Sequence, residues 1–495
     1  MTRPSDSYET KTLFFLLFIT LFRLVYSTGL RAIPDEAYYY IWSRQLDWSY
    51  FCHPPMLAYA IAFFNRFVTN RELVLKLVTT LFMAFSSIYI FHLAKELFHR
   101  RLAFYCVVLS NISLLFMAGS FIATPDVPMI FFLTGASYHF YRAVQDGKTA
   151  QWLIAGVFTG FALLSKFIAF LIYPSFFLYL LLPENRKWFR RAIPYLTCVL
   201  SLLVFSPVVY WNSRHHWVSF GFQLHHGFGG NKGFPRWNKF FEYLGGQLGL
   251  VGPILFGIFF VALIATALSW KKRSLEEKFL WCLSSVPFVF FLLVSLQKKV
   301  EANWPCFAYV PGILLAMAFY ESHVQPHRWG RMLWKVNWGL KIVVLGVLLV
   351  HIYLPFLPIP LRKDRTNDFF GWDQLGTEAV QLAEGHPGFE LAVNRYQLAS
   401  EMIMYSDLPL ICLNIEGRPN QFDIWQDRST FQGKNYLYFD DHNKPKEAIV
   451  SAFERFEYLK TIPLKRRNAV MKEIRVYKGY HYIRPEGELQ KMIRE

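Results

Sequence analysis

The chain has 495 residues, 54% of them hydrophobic and 19% aromatic, with charged residues at 18%, below the roughly 25% usual for soluble domains. Long apolar runs recur along it, which excludes disordered, collagen-like and disulfide-scaffold classes. The formal net charge is +17, but residues 360–495 hold 20 basic and 20 acidic residues, so the whole excess lies in the first 359, with 32 basic against 15 acidic. A surplus confined to the apolar part reads as basic membrane flanks rather than a nucleic-acid groove, and no nucleic-acid partner is expected.

Taken in chain order, apolar runs fall near 12–30, 73–94, 102–121, 127–141, 150–164, 167–182, 192–211, 243–268, 279–296, 303–320 and 338–358. Spanning a bilayer as a helix takes about 20 residues, so residues 1–359 are predicted to form a polytopic α-helical membrane module of about 11 transmembrane helices. The first run follows a polar start without a small-residue cleavage site and reads as a retained anchor. With the N-terminus inside, the predicted inner segments 1–11, 95–101, 142–148, 183–191, 271–278 and 321–337 carry 18 Lys and Arg. The predicted outer segments 31–71, 122–126, 165–167, 212–240 and 297–302 carry 11 over a greater length. The positive-inside rule therefore makes runs such as Lys271-Lys272-Arg273 cytoplasmic. It also makes 31–71 the first outer loop and 212–240 a long outer loop, and leaves the tail outside. That tail, 360–495, is expected to be a small soluble α/β domain, with strands around Leu391-Ala392-Val393 and Tyr436-Leu437-Tyr438-Phe439 and an apolar-periodic helix near 445–460.

The topology narrows the catalytic carboxylates. Setting aside Glu72 and Glu242, which flank spans, the acidic residues before 360 that fall in predicted outer loops are Asp35, Glu36, Asp47, Asp126 and Glu301. A carboxylate at the mouth of an apolar helix is costly unless solvated or paired. Pro34-Asp35-Glu36 reads either as a plain helix start, where acidic residues suit the first turn, or as a functional pair. Asp126, in Thr124-Pro125-Asp126, is either a helix cap or a site residue. Lys298-Lys299-Val300-Glu301-Ala302-Asn303-Trp304 places two lysines on the predicted outer side; a bound anion explains them, as does snorkelling to headgroups. Lys166 is a further outer cation. His215-His216 and His225-His226 lack an associated carboxylate arrangement, so no metal site is assigned. The six cysteines are scattered and read as small buried hydrophobes.

Asp35-Glu36-Ala37-Tyr38-Tyr39 with His53-Pro54-Pro55, Thr124-Pro125-Asp126, Gly160-Phe161-Ala162-Leu163-Leu164-Ser165-Lys166 and Glu301-Ala302-Asn303-Trp304-Pro305 form one ordered set. With Arg395-Tyr396-Gln397-Leu398-Ala399-Ser400-Glu401 and Asn420-Gln421-Phe422-Asp423-Ile424-Trp425 in the tail, they span nearly the whole chain. The chain thus resembles the integral-membrane glycosyltransferases of the C-type (GT-C) fold, in the bacterial branch related to protein O-mannosyltransferases and the lipid A aminoarabinose transferase. The resemblance implies a multi-pass protein of the bacterial inner membrane. It would take a sugar from a polyprenyl-phosphate carrier and pass it to an extracytoplasmic acceptor, a lipid A-type glycolipid or a protein hydroxyl. It implies Asp35 in the first acidic role, with Glu36 beside it, and Asp126 in the second. The aminoarabinose transferases have Lys-Pro-Pro where this chain has His53-Pro54-Pro55, and neutral His is the weaker anion partner. They also carry an Arg where Tyr38 stands.

Displacing a lipid phosphate from an anomeric carbon needs cations for the leaving group and a carboxylate to deprotonate or orient the acceptor. Asp35 suits the base, with Glu36 and Asp126 orienting hydroxyls. His53, Lys166, Lys298, Lys299, Glu301, Asn303 and Trp304 are the expected substrate and carrier-phosphate contacts. A divalent metal would fit such chemistry, but no motif supports one and no cofactor is assigned. The rival reading is a secondary transporter or flippase for a lipid-linked saccharide; against it, the two halves show no repeat and the candidate polar residues gather at one face.

Overall fold

The computed structural model of the protein describes residues 6–228 and 234–484. Its first part is helical: α1 (Asp6–Ser27), α2 (Pro34–Arg44), α3 (Met56–Asn65), α4 (Arg71–Leu97), α5 (Arg100–Ile112), α6 (Leu114–Phe121), α7 (Asp126–Asp146), α8 (Thr149–Leu163), α9 (Ile172–Leu180), α10 (Ile193–Arg214), α11 (Val218–Phe228), α12 (Trp237–Val251), α13 (Pro253–Leu268), α14 (Leu275–Ser295), α15 (Cys306–Phe319) and α16 (Arg328–Tyr353). By length and composition α1, α4, α10, α14 and α16 can each cross a membrane, and the bent pairs α5–α6 and α12–α13 raise five spans to seven. Each of the eleven predicted runs meets a helix or a bent pair. Among the described residues, the lower number arises because α8, α9 and α15 are short, α7 is long enough but too polar along its length, and two runs are broken. The break between α12 and α13 turns the chain by 114°. There Gly252 takes φ 91°, a conformation glycine adopts without strain, and Pro253 opens the next helix. The described part of the predicted long loop 212–240 is mostly helix, the end of α10 with α11 and the start of α12; residues 229–233 of that loop lie outside the described residues.

Small residues bring the helices close where the site is built. Gly156 and Gly160 sit one turn apart on α8; a Cβ on Gly156 would stand 2.8 Å from Thr197 O and one on Gly160 2.5 Å from Val204 Cβ. Glycine at both positions lets α8 lie against α10 backbone to backbone, the close approach that small-xxx-small spacing permits in apolar helices. Lys166 leaves the end of α8 in a position fixed by that contact.

The remainder contains α17 (Trp372–Gly385), β1 (Phe389–Val393), α18 (Tyr396–Ser406), β2 (Leu410–Cys412), α19 (Gln421–Trp425), β3 (Asn435–Asp440), α20 (Glu447–Val450), β4 (Phe453–Arg466) and β5 (Ala469–Tyr482). The strands make a five-stranded mixed sheet, β2-β1-β3-β5-β4, with β1 parallel to β2 and β3, and β5 antiparallel to β3 and β4. Both predicted strands are present. The predicted helix at 445–460 is not: only Glu447–Val450 is helical, and Phe453 onward is strand. A bulge between Tyr458 and Lys460 inserts a residue and breaks the strict alternation of a strand, so the apolar spacing imitates a helix.

The sheet does not stand apart from the helices. One apolar core joins Tyr38, Trp42 and Ile61 of α2 and α3 to Trp372, Leu375, Leu398 and Met402 of α17 and α18 and to Leu437 and Phe439 of β3. Buried hydrogen bonds fix the register of that seam: Gln421 N donates to the Tyr38 hydroxyl at 2.7 Å, and Phe51 N donates to Gln421 Oε1 at 2.7 Å. Arg44 and Arg71 both pair with Asp407 at its edge. Among the described residues all six cysteines are unpaired, five of them buried, as expected.

Candidate active site

A cavity of about 660 Å³ opens where the helical ends meet α18 and the 414–420 loop. Asp35, Tyr38 and Tyr39 of α2 form one wall, followed by Cys52 and His53. Thr124, Pro125 and Asp126 come from the start of α7, and Lys166 from the end of α8. Phe167, Ile168, Phe170, Leu171, Phe290, Phe291 and Val294 make an apolar wall. Phe222, Gln223 and Leu224 of α11 close one side; Glu301, Asn303 and Trp304 close another; Tyr396 and Arg418 cover it.

Asp126 is immobilised. It stands in the first turn of α7, where the helix dipole favours a negative charge. Lys166 Nζ donates to its Oδ1 at 2.7 Å, Asn303 Nδ2 to its Oδ2 at 3.0 Å, and Cys306 Sγ lies 3.4 Å from Oδ1. Both members of the Asp126–Lys166 pair are nearly buried, with side chains 10% and 13% exposed. Asn303 is held in turn by its loop: Gln247 Nε2 donates to Ala302 O at 3.1 Å, and the Tyr309 hydroxyl steadies Gln247 Oε1 at 2.7 Å. Three predicted residues thus form one cluster contributed by α7, α8 and the 297–305 loop.

Asp35 and Glu36 are neighbours that part ways. About 100° of helix rotation separates them, so Asp35 faces the cavity and Glu36 faces α4. Asp35 is exposed and lines the cavity. Partial burial pushes its carboxyl above the ordinary range, while Arg418 and a hydrogen bond with Tyr396 pull it back. Glu36 is fully buried, and the structure corrects the expectation that it meets substrate. Its carboxylate takes Lys76 Nζ at 2.9 and 3.1 Å, Ala123 N at 2.8 Å and Ile33 N, at the start of its own helix, at 3.1 Å. Lys76 also donates to Phe121 O at 2.7 Å. Glu36 therefore ties α2 to α4 and to the strand of chain before α7, holding the backbones that carry Asp35 and Asp126.

The second correction concerns the paired lysines. Lys299 turns to the surface and pairs with Glu301 at 2.9 Å, both side chains more than half exposed. Lys298 is half-buried outside the cavity lining, and burial pushes its amine below the ordinary lysine range. Of the loop's predicted contacts, Glu301, Asn303 and Trp304 line the cavity; Lys298 and Lys299 do not. His53 lines it beside Tyr39, ring centres 6.2 Å apart.

The cation that composition did not single out is Arg418. It is exposed, its guanidinium lying 5.2 Å from the Phe222 ring centre and 5.7 Å from that of Tyr396, and it donates to the Tyr396 hydroxyl at 3.3 Å. Tyr396 packs on Tyr38 with ring centres 4.5 Å apart. Tyr396 belongs to a motif quoted above, and Arg418 stands two residues before another; that proximity was the available signal. His215 stacks on Trp211 at 3.9 Å. Among the described residues, the three ligand-type side chains close enough to share a cation are Asp440, Asp441 and His442 in the tail, none of them in this cavity.

Residues 52–211 match a family model described as dolichyl-phosphate-mannose-protein mannosyltransferase. The chain is 27% identical over 375 residues to the lipid A galacturonosyltransferase RgtD of Rhizobium johnstonii, covering 70% of this chain and 72% of that one. Its fold is similar to the crystal structure of ArnT from Cupriavidus metallidurans bound to undecaprenyl phosphate, with a TM-score of 0.65 at 14% identity over 96% of this chain and 98% of the other. The apo form of that protein matches with a TM-score of 0.64 at 13% identity over the same shares.

Proposed function

We propose that the chain is a membrane glycosyltransferase of the C-type fold, an enzyme that moves a sugar from a polyprenyl-phosphate carrier to an acceptor, and that the cavity between Asp35, Asp126 and Arg418 is its transfer site. The carrying observation is the division of labour around one space: two carboxylates from different helices, an apolar wall, and an arginine contributed by the tail. Tyr39 lines the same cavity as both carboxylates, which supports a shared role for them.

In this reading the isoprenoid chain lies along Phe167, Phe170, Phe290 and Phe291, and the carrier phosphate meets Arg418 and the Lys166 end of the cavity. An acceptor hydroxyl attacks the anomeric carbon and gives its proton to Asp35. The bond from that carbon to the phosphate oxygen breaks, and the polyprenyl phosphate leaves with the electron pair, its charge met by the guanidinium. Asp126, fixed by Lys166 and Asn303, orients hydroxyls of sugar or acceptor. Glu36 is a positioning residue that sets Asp35. Should the acceptor be a phosphate, no proton moves and Asp35 acts through its charge.

The similarity to a lipid A galacturonosyltransferase favours a lipid A-type acceptor over a protein hydroxyl. The positive-inside count supports eleven passes in the bacterial inner membrane, with the cavity and the α/β part, 360–495, docked on it at the extracytoplasmic side. The test is sugar transfer from a lipid-linked donor by the purified protein in nanodiscs. Asp35→Asn and Asp126→Asn should each abolish transfer while the protein still folds; wild-type rates in both would sink the assignment.

A further inference from the structure

A second cavity, of about 500 Å³, lies between the end of α16 and the β4–β5 hairpin. Its lining holds three cations, Lys363, Arg365 and Lys472, and four carboxylates, of which Asp364, Asp441 and Glu473 are paired with Arg466, Arg395 and Arg475, leaving Asp368 with Asn443 and Trp372. Lys472 Nζ sits 4.9 Å above the Trp372 ring and 3.3 Å from Asp441. Lys363 and Arg365 are exposed at its rim, and Arg365 makes a long contact to Asp368, 3.8 Å with the arginine side chain 94% exposed. Cations for phosphate next to carboxylates and amides for hydroxyls make the chemistry of a phosphorylated saccharide, and the volume lies in the range of sites that take molecules of that size.

Its place in the fold adds two constraints. Immediately before it, Leu354, Phe356, Ile359 and Leu361 project apolar side chains from the segment that leaves the spanning helix α16, as an interfacial segment does beside lipid. Immediately behind it, Phe369 packs on the corner that carries Asp35. Phe369 O accepts from Arg31 N at 3.1 Å, and its ring lies 5.8 Å from the Lys76 Nζ that holds Glu36. The cavity therefore has an exposed apolar segment on one flank and the start of α2 near the other.

We propose that this second cavity binds the phosphorylated sugar headgroup of the acceptor glycolipid, its acyl chains lying against the 354–361 segment, so that the acceptor approaches the transfer site by way of the chain just before α2. This rests on the transfer reading above and locates its acceptor. Lys363 and Arg365 hold the phosphate, and Asp368 and Asn443 hold sugar hydroxyls.

The test uses the full-length protein in nanodiscs containing a diphosphorylated disaccharide glycolipid, lipid A, as the probe. A photo-reactive side chain placed at Asn443 should cross-link the glycolipid, and one placed at the exposed Tyr458 on β4 should not. No cross-link at 443, equal labelling at both positions, or labelling of polypeptide alone overturns the proposal. In the kinetic arm, Lys363→Ala with Arg365→Ala should raise the acceptor KM about tenfold or more, the scale of a lost charge-assisted phosphate contact, with the donor KM unchanged. An unchanged acceptor KM overturns it. Cross-linking needs no turnover, so a wild-type protein that fails to transfer sugar would defeat the transfer reading while the labelling still decides this one.

Discussion

The two carboxylates that face the cavity are held in opposite ways. Asp126 is saturated within the helical part by Lys166, Asn303 and Cys306. Asp35 is held by partners that come from the other end of the sequence, Tyr396 and Arg418, and burial raises its carboxyl. A carboxylate pinned by an ammonium and an amide keeps its place, which suits orientation. A carboxylate partly desolvated beside an exposed guanidinium sits nearer the point of taking a proton, which suits a base. The same contrast makes the tail part of the site: without it, Asp35 loses both the hydroxyl and the cation that set its state.

Removing the group that changes protonation should have the largest effect. Asp35→Asn is expected to reduce transfer by about a thousandfold, within the 10²–10⁴ range of general-base removal, while Gln421 and Tyr38 keep the tail docked and melting is little changed. Breaking the pinned cluster should harm the fold as well as the rate. Lys166→Ala leaves a nearly buried Asp126 charge uncompensated, a loss of about 3 kcal/mol, to be read as a lower melting temperature together with reduced transfer. Asp126→Asn with Lys166→Met should recover stability but not activity; recovery of both would erase the distinction drawn here. Arg418→Ala should raise the donor KM about tenfold through loss of a phosphate contact, and Arg418→Lys should restore only part of it because the planar fork is gone. The smallest effect is expected at the surface: Lys299→Ala, which frees an exposed pair, should change the rate by less than about twofold.

Much of this was legible before folding. Asp35, Asp126 and Lys166 could be shortlisted because a charge at the mouth of an apolar helix is expensive and therefore conspicuous; the resemblance chose among their readings and brought in Asn303. What sequence could not do was separate Asp35 from Glu36, since adjacent residues share every local property and differ only in which neighbour the helix turns them toward. Lys298 and Lys299 were conspicuous by charge sign alone, and the loop points that charge away from the cavity. Arg418 had no local mark at all; its role depends on a seam between segments more than 370 residues apart, fixed by Gln421 and Tyr38. The misread helix at 445–460 has a similar cause, because a bulge in a β-hairpin is a relation between two strands.

The central claim is that Asp35 is the proton acceptor and that Arg418 sets its readiness. The sign follows from the raised carboxyl: the folded protein holds the Asp35 proton more tightly than the unfolded chain does. The resulting stability is therefore complete below the unfolded value and lost as pH rises through the folded one, and transfer needs the ionised form and fails on the acid side. The most direct measurement is the pH dependence of kcat, at saturating lipid-linked donor, for the wild type and Arg418→Ala. We expect the acid limb of the wild type to lie above the ordinary carboxylate range and to move higher still in Arg418→Ala, where the guanidinium no longer opposes burial. Superimposable acid limbs in the two proteins would contradict the account.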